Sequence, residues 1–176
     1  MWYVIQVVSG QERKARDLIE STAGGVRDEA GKPVLKECFV PYYQVEQKFQ
    51  GEYRTVERTL FPGYVIAVTG NVSALNGELA KVPAFTRLLG GGDAFVPLDR
   101  AEMALIDKLL SEGNRIVAVS RAVAEGDSIR VIKGPLVDRE GWIREIDRRK
   151  GTCFVETEMF GRTLKIEIGL AVVTKA

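Results

Sequence analysis

The chain has 176 residues, 45% of them apolar, and a formal net charge of +1. That length suits one large domain or two small ones, and that apolar content excludes a disordered chain. Near-neutral charge favours no particular partner, and the absence of histidine removes the commonest general base and the commonest metal ligand.

Charge is not evenly spread. Lys+Arg against Asp+Glu is 14 to 15 over residues 1–119 and 11 to 9 over residues 120–176, so the tail end is the slightly basic part. Cys38 and Cys153 stand far apart with no CxxC partner, which leaves a zinc site or a disulfide framework unsupported and suits a reducing compartment. The opening MWYVIQVVSG is apolar but short and has no preceding positive residue. It reads as neither a signal peptide nor a membrane span, and no other apolar run approaches membrane length.

In chain order, residues 2–8 (WYVIQVV) are β-branched and aromatic-rich, which predicts a strand. Ser9 with Glu12 three residues on is a capping box and predicts a helix start. Ala15, Leu18, Ile19 and Thr22 give that helix one apolar face, and Gly24-Gly25 should end it. Residues 34–45 (VLKECFVPYYQV) predict a second strand. Residues 48–61 (KFQGEYRTVERTLF) predict an exposed, charged hairpin with Gly51 near its tip. GYVIAV is a third strand. A helix is expected from Ser73 to Val82, closed by Pro83, and FTRLLG as one more short strand. Asp99 and Glu102 make a second helix start, with Met103, Ile106 and Leu110 facing inward and a stop near Gly113. The expected fold is an α+β front domain over residues 1–112, one antiparallel sheet with helices packed on it.

Residues 113–124 have no clear period and read as a linker. From residue 125 the pattern changes to four short strands, DSIRVI, GWIREI, TCFVETEM and TLKIEIG, separated by turns. Leu164, Ile166 and Ile168 alternate with Thr163, Lys165 and Glu167, the period of a half-buried strand. Strands this close, with no helix between them, imply a small all-β barrel over residues 125–176.

Three motifs bear on function. Ten of the fourteen aromatics precede residue 86, more than one sheet face and a few helices readily enclose. Core packing is the simpler reading of any single one. As a group, Tyr42, Tyr43, Phe61 and Tyr64 beside prolines and strand ends suit a shallow apolar depression for another protein. In the barrel, Lys133, Arg139, Arg144 and the tip Arg148-Arg149-Lys150 either form solvated turns or converge on phosphates. Phe160, at the Gly161 turn of EMFGRT, either plugs the barrel end or anchors a partner. No GxxxxGK, GxGxxG or GxSxG occurs, LGGGD lacks phosphate-binding spacing, and no Ser or Cys has a plausible base. No catalytic residue, metal or cofactor is expected.

The chain resembles the NusG family of transcription elongation factors over nearly its whole length. The resemblance rests on WYVIQVVSGQE, LFPGYVIA, VPAFTRLLGG and GDSIRVIKGPLVDREGWI followed by FGR, in that order and spacing. The last block resembles the KOW motif of the family's SH3-like barrel. The resemblance implies a polymerase-binding front domain in which Phe61, Pro62, Gly63 and Tyr64, with Tyr42, grip the clamp helices of RNA polymerase. It places the charged hairpin near DNA at the transcription bubble. A start without the extension of many general members, and a basic barrel, look like the specialised paralogue LoaP. That likeness implies processive antitermination, with Lys133, Arg139, Arg144, Arg148, Arg149 and Lys150 on a nascent RNA hairpin and Phe160 and Arg162 on a further partner. The alternatives are a general elongation factor coupling polymerase to Rho or the ribosome, and a ribosome-associated KOW protein. The resemblance also implies a monomer that is cytoplasmic, nucleoid-associated and bacterial.

Overall fold

A computed structural model of the chain describes residues 1–84, 86–88, 90–91, 94–110 and 114–173. In chain order the elements are β1 (Trp2–Val7), α1 (Glu12–Ala23), β2 (Glu37–Phe39), β3 (Tyr42–Phe49), β4 (Glu52–Thr59), β5 (Tyr64–Val68), α2 (Val72–Leu79), β6 (Thr86–Leu88), β7 (Gly90–Gly91), β8 (Ala94–Phe95) and α3 (Arg100–Leu109). Then follow β9 (Ile116–Val117), β10 (Ser120–Glu125), β11 (Ser128–Lys133), a 3-10 turn (Glu140–Trp142), β12 (Ile143–Asp147), β13 (Thr152–Met159) and β14 (Arg162–Val173). The chain forms two compact units, Met1–Val40 with Phe61–Met103 and Pro41–Leu60 with Ala104–Ala176.

The first unit is built on an antiparallel sheet in the order β2-β5-β1-β6. β1 is paired on both sides, so its aromatic and β-branched run is enclosed: Tyr3, Val4, Ile5 and Val7 are buried. α1 buries Ala15, Ile19 and Ala23, close to the expected apolar face, and packs on α2 and β5. Its end at Gly24 is also as expected. Its start is not. Ser9 does not cap it; Gln11 holds the cap position without a side-chain bond. Glu12 instead turns inward and accepts hydrogen bonds from the backbone N–H of Gly10 at 2.9 Å and of Gly63 at 2.8 Å. The carboxylate is only 5% exposed and is held by a loop 51 residues away, which no local capping rule anticipates.

That loop is the Phe61-Pro62-Gly63-Tyr64 turn. Tyr64 N–H donates to the Phe61 carbonyl at 3.1 Å and Gly63 has φ +86°. Proline in the second position and a positive-φ residue in the third define a type II turn, for which glycine is the fitting residue. Val7 N–H donates to the Gly63 carbonyl at 2.8 Å. Asn71 caps α2, its side chain accepting from Ala74 N–H at 3.1 Å, and this helix ends at Leu79, short of the expected Val82. Asp99 and Glu102 form the expected reciprocal capping box, both bonds at 2.8 Å. Gly113, expected to stop that helix, lies outside the described residues, as do Phe85 and Leu89 of FTRLLG and Leu89, Gly92 and Asp93 of LGGGD.

Residues 34–45, expected as one strand, are two strands in separate sheets, with Val40-Pro41 between them. Proline has no N–H to give a ladder, so the first strand stops there. β3 and β4 form a hairpin with the expected tip but a longer first arm than the expected 48–61, in register from Tyr42 opposite Thr59 to Phe49 opposite Glu52. Gln50 and Gly51 at its tip both have positive φ, the pattern of a two-residue hairpin turn. The stretch expected to be a linker, 113–124, carries β9, which pairs parallel with β3, and most of β10. Its alternation was hidden because Ala122 is a small residue at the buried position.

The remaining strands form one five-stranded sheet in the order β11-β10-β14-β13-β12. β10 and β14 run parallel, a pairing that four hairpin-linked strands did not suggest. Along β14, Ile166 and Ile168 are buried while Thr163 and Lys165 are exposed, the expected alternation. The hairpin is joined to this sheet within the unit: Tyr43 OH donates to Glu167 Oε1 at 3.0 Å, and Arg58 Nη1 lies 3.5 Å from the same oxygen. Burial, and then the Glu167 carboxylate, push the Tyr43 phenol up to about 12, so it stays a neutral donor. Arg121 and Glu46 form a second ion pair between sheet and hairpin.

Replacing Glu12 by Ala should leave two backbone donors without their acceptor, at a cost of about 1–3 kcal/mol. Urea unfolding monitored by circular dichroism should show a lower midpoint at unchanged slope, and Glu12→Gln, which keeps one acceptor oxygen, should recover part of the loss.

Candidate functional site

Phe61, Pro62, Gly63 and Tyr64 share a single turn in the first unit, whereas Tyr42 belongs to β3 in the second. Phe61 is only 3% exposed and is part of the core, so it cannot present a face to a partner, and a charge there would be buried. Pro62 is exposed and Tyr64 half-buried. The surface at this end of β1 is made by residues the sequence did not single out. Val8, Gln11, Lys14, Ala15, Pro83 and Ala84 line a depression of about 240 Å³. It begins one residue beyond Val7, which the turn holds through Gly63. Val8 is 52% exposed; the sequence placed it as the last residue of the first strand, which ends instead at Val7.

The cations of the second unit divide by what they already hold. Arg139 is half-buried: its Nη1 donates to the Pro135 carbonyl at 3.0 Å and the Val137 carbonyl at 3.4 Å, and its guanidinium lies 5.2 Å from the centre of the Trp142 ring. It fastens the loop before β12 and has little left to offer a ligand. Arg144 is exposed and reaches the Gly141 carbonyl at 3.2 Å. Lys133 is exposed at the end of β11. Arg148, Arg149 and Lys150 are all exposed on the β12–β13 connection, whose backbone is set by Asp147 accepting from Lys150 N–H at 3.0 Å. The tip lies along a groove that also takes in Lys48, Tyr53 and Arg54 of the hairpin and Arg121 of β10. At the β13–β14 turn Phe160 is half-buried and Arg162 exposed. Phe160 has φ 56°, an uncommon backbone state for a bulky residue.

Nucleophilic chemistry has little to work with. Burial pushes both Cys38 and Cys153 thiols up to about 12, with nearby carboxylates, Glu20 foremost for Cys38 and Glu167 for Cys153, acting in the same direction. Among the described residues no group of three His, Cys, Asp or Glu side chains could hold a metal ion, and no helix is long and apolar enough to cross a membrane. Alkylation of the native protein by iodoacetamide at pH 8 should be negligible at both cysteines and become complete in denaturant, because the folded thiols stay protonated until well above that pH. Mass spectrometry of the labelled chain checks this.

The fold is a helix-backed antiparallel sheet with a second unit rich in β-hairpins, which carries exposed cations on its turns. Residues 1–107 match the family described as Transcription termination factor nusG, and the chain belongs to that family. It is 30% identical to the "Transcription termination/antitermination protein NusG" of Pseudomonas aeruginosa, covering 99% of this chain and 97% of that protein. The protein of the same name from Thermus thermophilus is 30% identical, with 99% and 98% covered. That of Campylobacter jejuni is 29% identical, with 95% and 92% covered. These relatives are transcription factors, not enzymes. A solved structure titled "Domain interaction in Thermotoga maritima NusG" shares the fold at a TM-score of 0.53 and 23% identity, covering 97% of this chain and 92% of that one.

Proposed function

We propose that this NusG-family transcription factor binds the clamp helices of RNA polymerase with its front domain, residues 1–112, and promotes processive antitermination in the manner of LoaP. In this reading residues 113–124 connect to a KOW domain, residues 125–176, an SH3-like barrel that contacts a hairpin in the nascent RNA. The observation that carries it is the Arg148-Arg149-Lys150 tip, three consecutive exposed cations on an ordered turn with further cations on neighbouring strands. Cations so placed can follow a phosphate backbone, and A-form RNA is recognised largely by shape and phosphate contacts.

For the polymerase side, the buried Phe61 becomes the support of the surface rather than its anchor. Pro62 and Tyr64, with the depression at Val8, Ala15 and Pro83, offer an apolar groove bordered by Lys14, the kind of site that takes an amphipathic helix. A second reading is a general NusG elongation factor coupling polymerase to Rho or the ribosome; the matched relatives carry the name NusG. Arg139, already committed to its own loop, also fits that reading, since it leaves one cation fewer for RNA.

Both halves are testable on the full chain. Val8→Glu should fold normally and lose co-purification with RNA polymerase, the loss corresponding to about 2 kcal/mol if Val8 is central; retention of polymerase by the folded variant removes the depression from the reading. Replacing Arg148, Arg149 and Lys150 together by Ala should weaken binding of a hairpin RNA and reduce the slope of log affinity against log salt by about one for each true phosphate contact. An unchanged slope, or no affinity at low salt, makes the general elongation factor the better description.

A further inference from the structure

The groove beside the Arg148-Arg149-Lys150 tip has two walls of different origin. One is the tip with Arg121 and the end of β14; the other is the outer half of the β3–β4 hairpin, with Lys48, Tyr53 and Arg54. It encloses about 930 Å³. The walls are held together at close range. A Cβ on Gly151 would come within 3.1 Å of the Glu46 carbonyl, so the tip passes close to the hairpin backbone. Arg121 and Glu46 pair across the same junction.

The lining carries six cations, Lys48, Arg54, Arg121, Arg148, Arg149 and Lys150, against one carboxylate, Glu46, which Arg121 already neutralises. In a chain with a net charge of only +1, that is a local concentration of positive charge. Beside it stand two aromatic side chains that the fold leaves outside its core, Tyr53 at 72% exposure and Phe49 at 52%, with the Arg54 guanidinium 4.9 Å from the centre of the Phe49 ring. Cations flanking an exposed ring are the elements of a single-strand site: the charges follow phosphates and the ring stacks on an unpaired base. A duplex, whose bases are already stacked on one another, would leave Tyr53 unused. Gln47 and Thr55 on the hairpin wall add neutral polar groups able to meet a ribose hydroxyl.

We infer that this groove binds single-stranded RNA, with an unpaired base stacked on Tyr53 and the backbone running between the hairpin and the Arg148-Arg149-Lys150 tip. It rests on the RNA reading above, extends it to a different ligand form and adds residues outside the tip: the hairpin β3–β4, which the family resemblance placed near DNA, becomes half of an RNA site.

The test uses the full chain and three fluorescent probes at fixed salt: a blunt RNA hairpin, the same hairpin with an unpaired oligouridine tail of about six nucleotides, and that hairpin with a deoxyuridine tail. A tail of that length falls within the ~4–16 nucleotides that single-strand folds cover. The uridine tail should tighten binding about tenfold, within the range of one or two stacked bases. Tyr53→Ala should abolish the gain, leaving the blunt hairpin unaffected, and Tyr53→Phe should retain it; both substitutions are on an exposed side chain and should leave the circular dichroism spectrum unchanged. A tail that adds nothing, or a gain indifferent to Tyr53→Ala, overturns the inference, and a deoxyuridine tail that binds as well as the ribose one overturns the assignment to RNA. If the blunt hairpin does not bind but free oligouridine does, in a Tyr53-dependent way, the hairpin-recognition reading fails and the groove stands.

Discussion

Glu12 is a carboxylate taken almost wholly out of water and held there by backbone N–H groups from two places, Gly10 beside it and Gly63 in a turn far along the chain. Burying an ionisable group is costly unless its hydrogen bonds are replaced, so the contact stays closed only if both loops keep their geometry. Several features follow from it. α1 begins at Glu12 rather than at Ser9. The Phe61-Pro62-Gly63-Tyr64 turn is fixed against the end of β1, where Val7 completes the junction by donating to Gly63. Phe61 is thereby directed into the core, and Val8 is left at the surface, beside Ala15 and Pro83. The Phe-Pro-Gly-Tyr sequence thus acts first as a structural corner, and whatever surface lies there is made by its neighbours.

In the second unit the corresponding role falls to the contacts between the β3–β4 hairpin and the sheet. Tyr43, kept neutral by burial and by Glu167, donates a hydrogen bond to that carboxylate while Arg58 balances the charge. A half-buried arrangement of donor, carboxylate and cation orients more than it stabilises, because desolvation offsets much of the attraction. Orientation is what the groove requires: it sets Lys48 and Tyr53 on one side and Arg148 to Lys150 on the other. Arg139 shows the opposite use of the same residue type, spending its donors on Pro135 and Val137 and its flat face on Trp142. Two arginines nine residues apart therefore differ in function through what surrounds them, and nothing in their sequence neighbourhood separates them.

Local rules were sufficient wherever the cause was local. The Asp99–Glu102 capping box, the Gly24 terminus of α1, the tip of the hairpin at Gly51, the strand TCFVETEM and the alternation of Ile166 and Ile168 were all legible, because propensity, capping and turn chemistry act within a few residues. The clustering of cations at the Arg148 tip was also a property of the sequence itself. So was the family, since the order of several weak motifs along one chain is information that no fold need supply.

Other features depended on contacts between residues remote in sequence. Glu12 looked like half of a capping box because its true partner, Gly63, lies 51 positions away. Phe61 looked like an anchor because an aromatic beside Pro-Gly gives no indication of which way the turn will face. Residues 113–124 looked like a linker because β10 is recognised through its parallel partner β14, and a pairing across that separation leaves no local period. The groove is the extreme case: Tyr53 and Arg149 each read as an exposed residue on a charged hairpin, and contacts between hairpin and sheet, such as Gly151 at Glu46 and Arg121 with Glu46, make them two sides of one surface. The sequence by itself determined where elements start and stop and which charges are present. Tertiary structure decided which carboxylates are buried, which aromatics remain outside and which cations stand together, because burial and proximity are properties of pairs that the chain brings together only on folding.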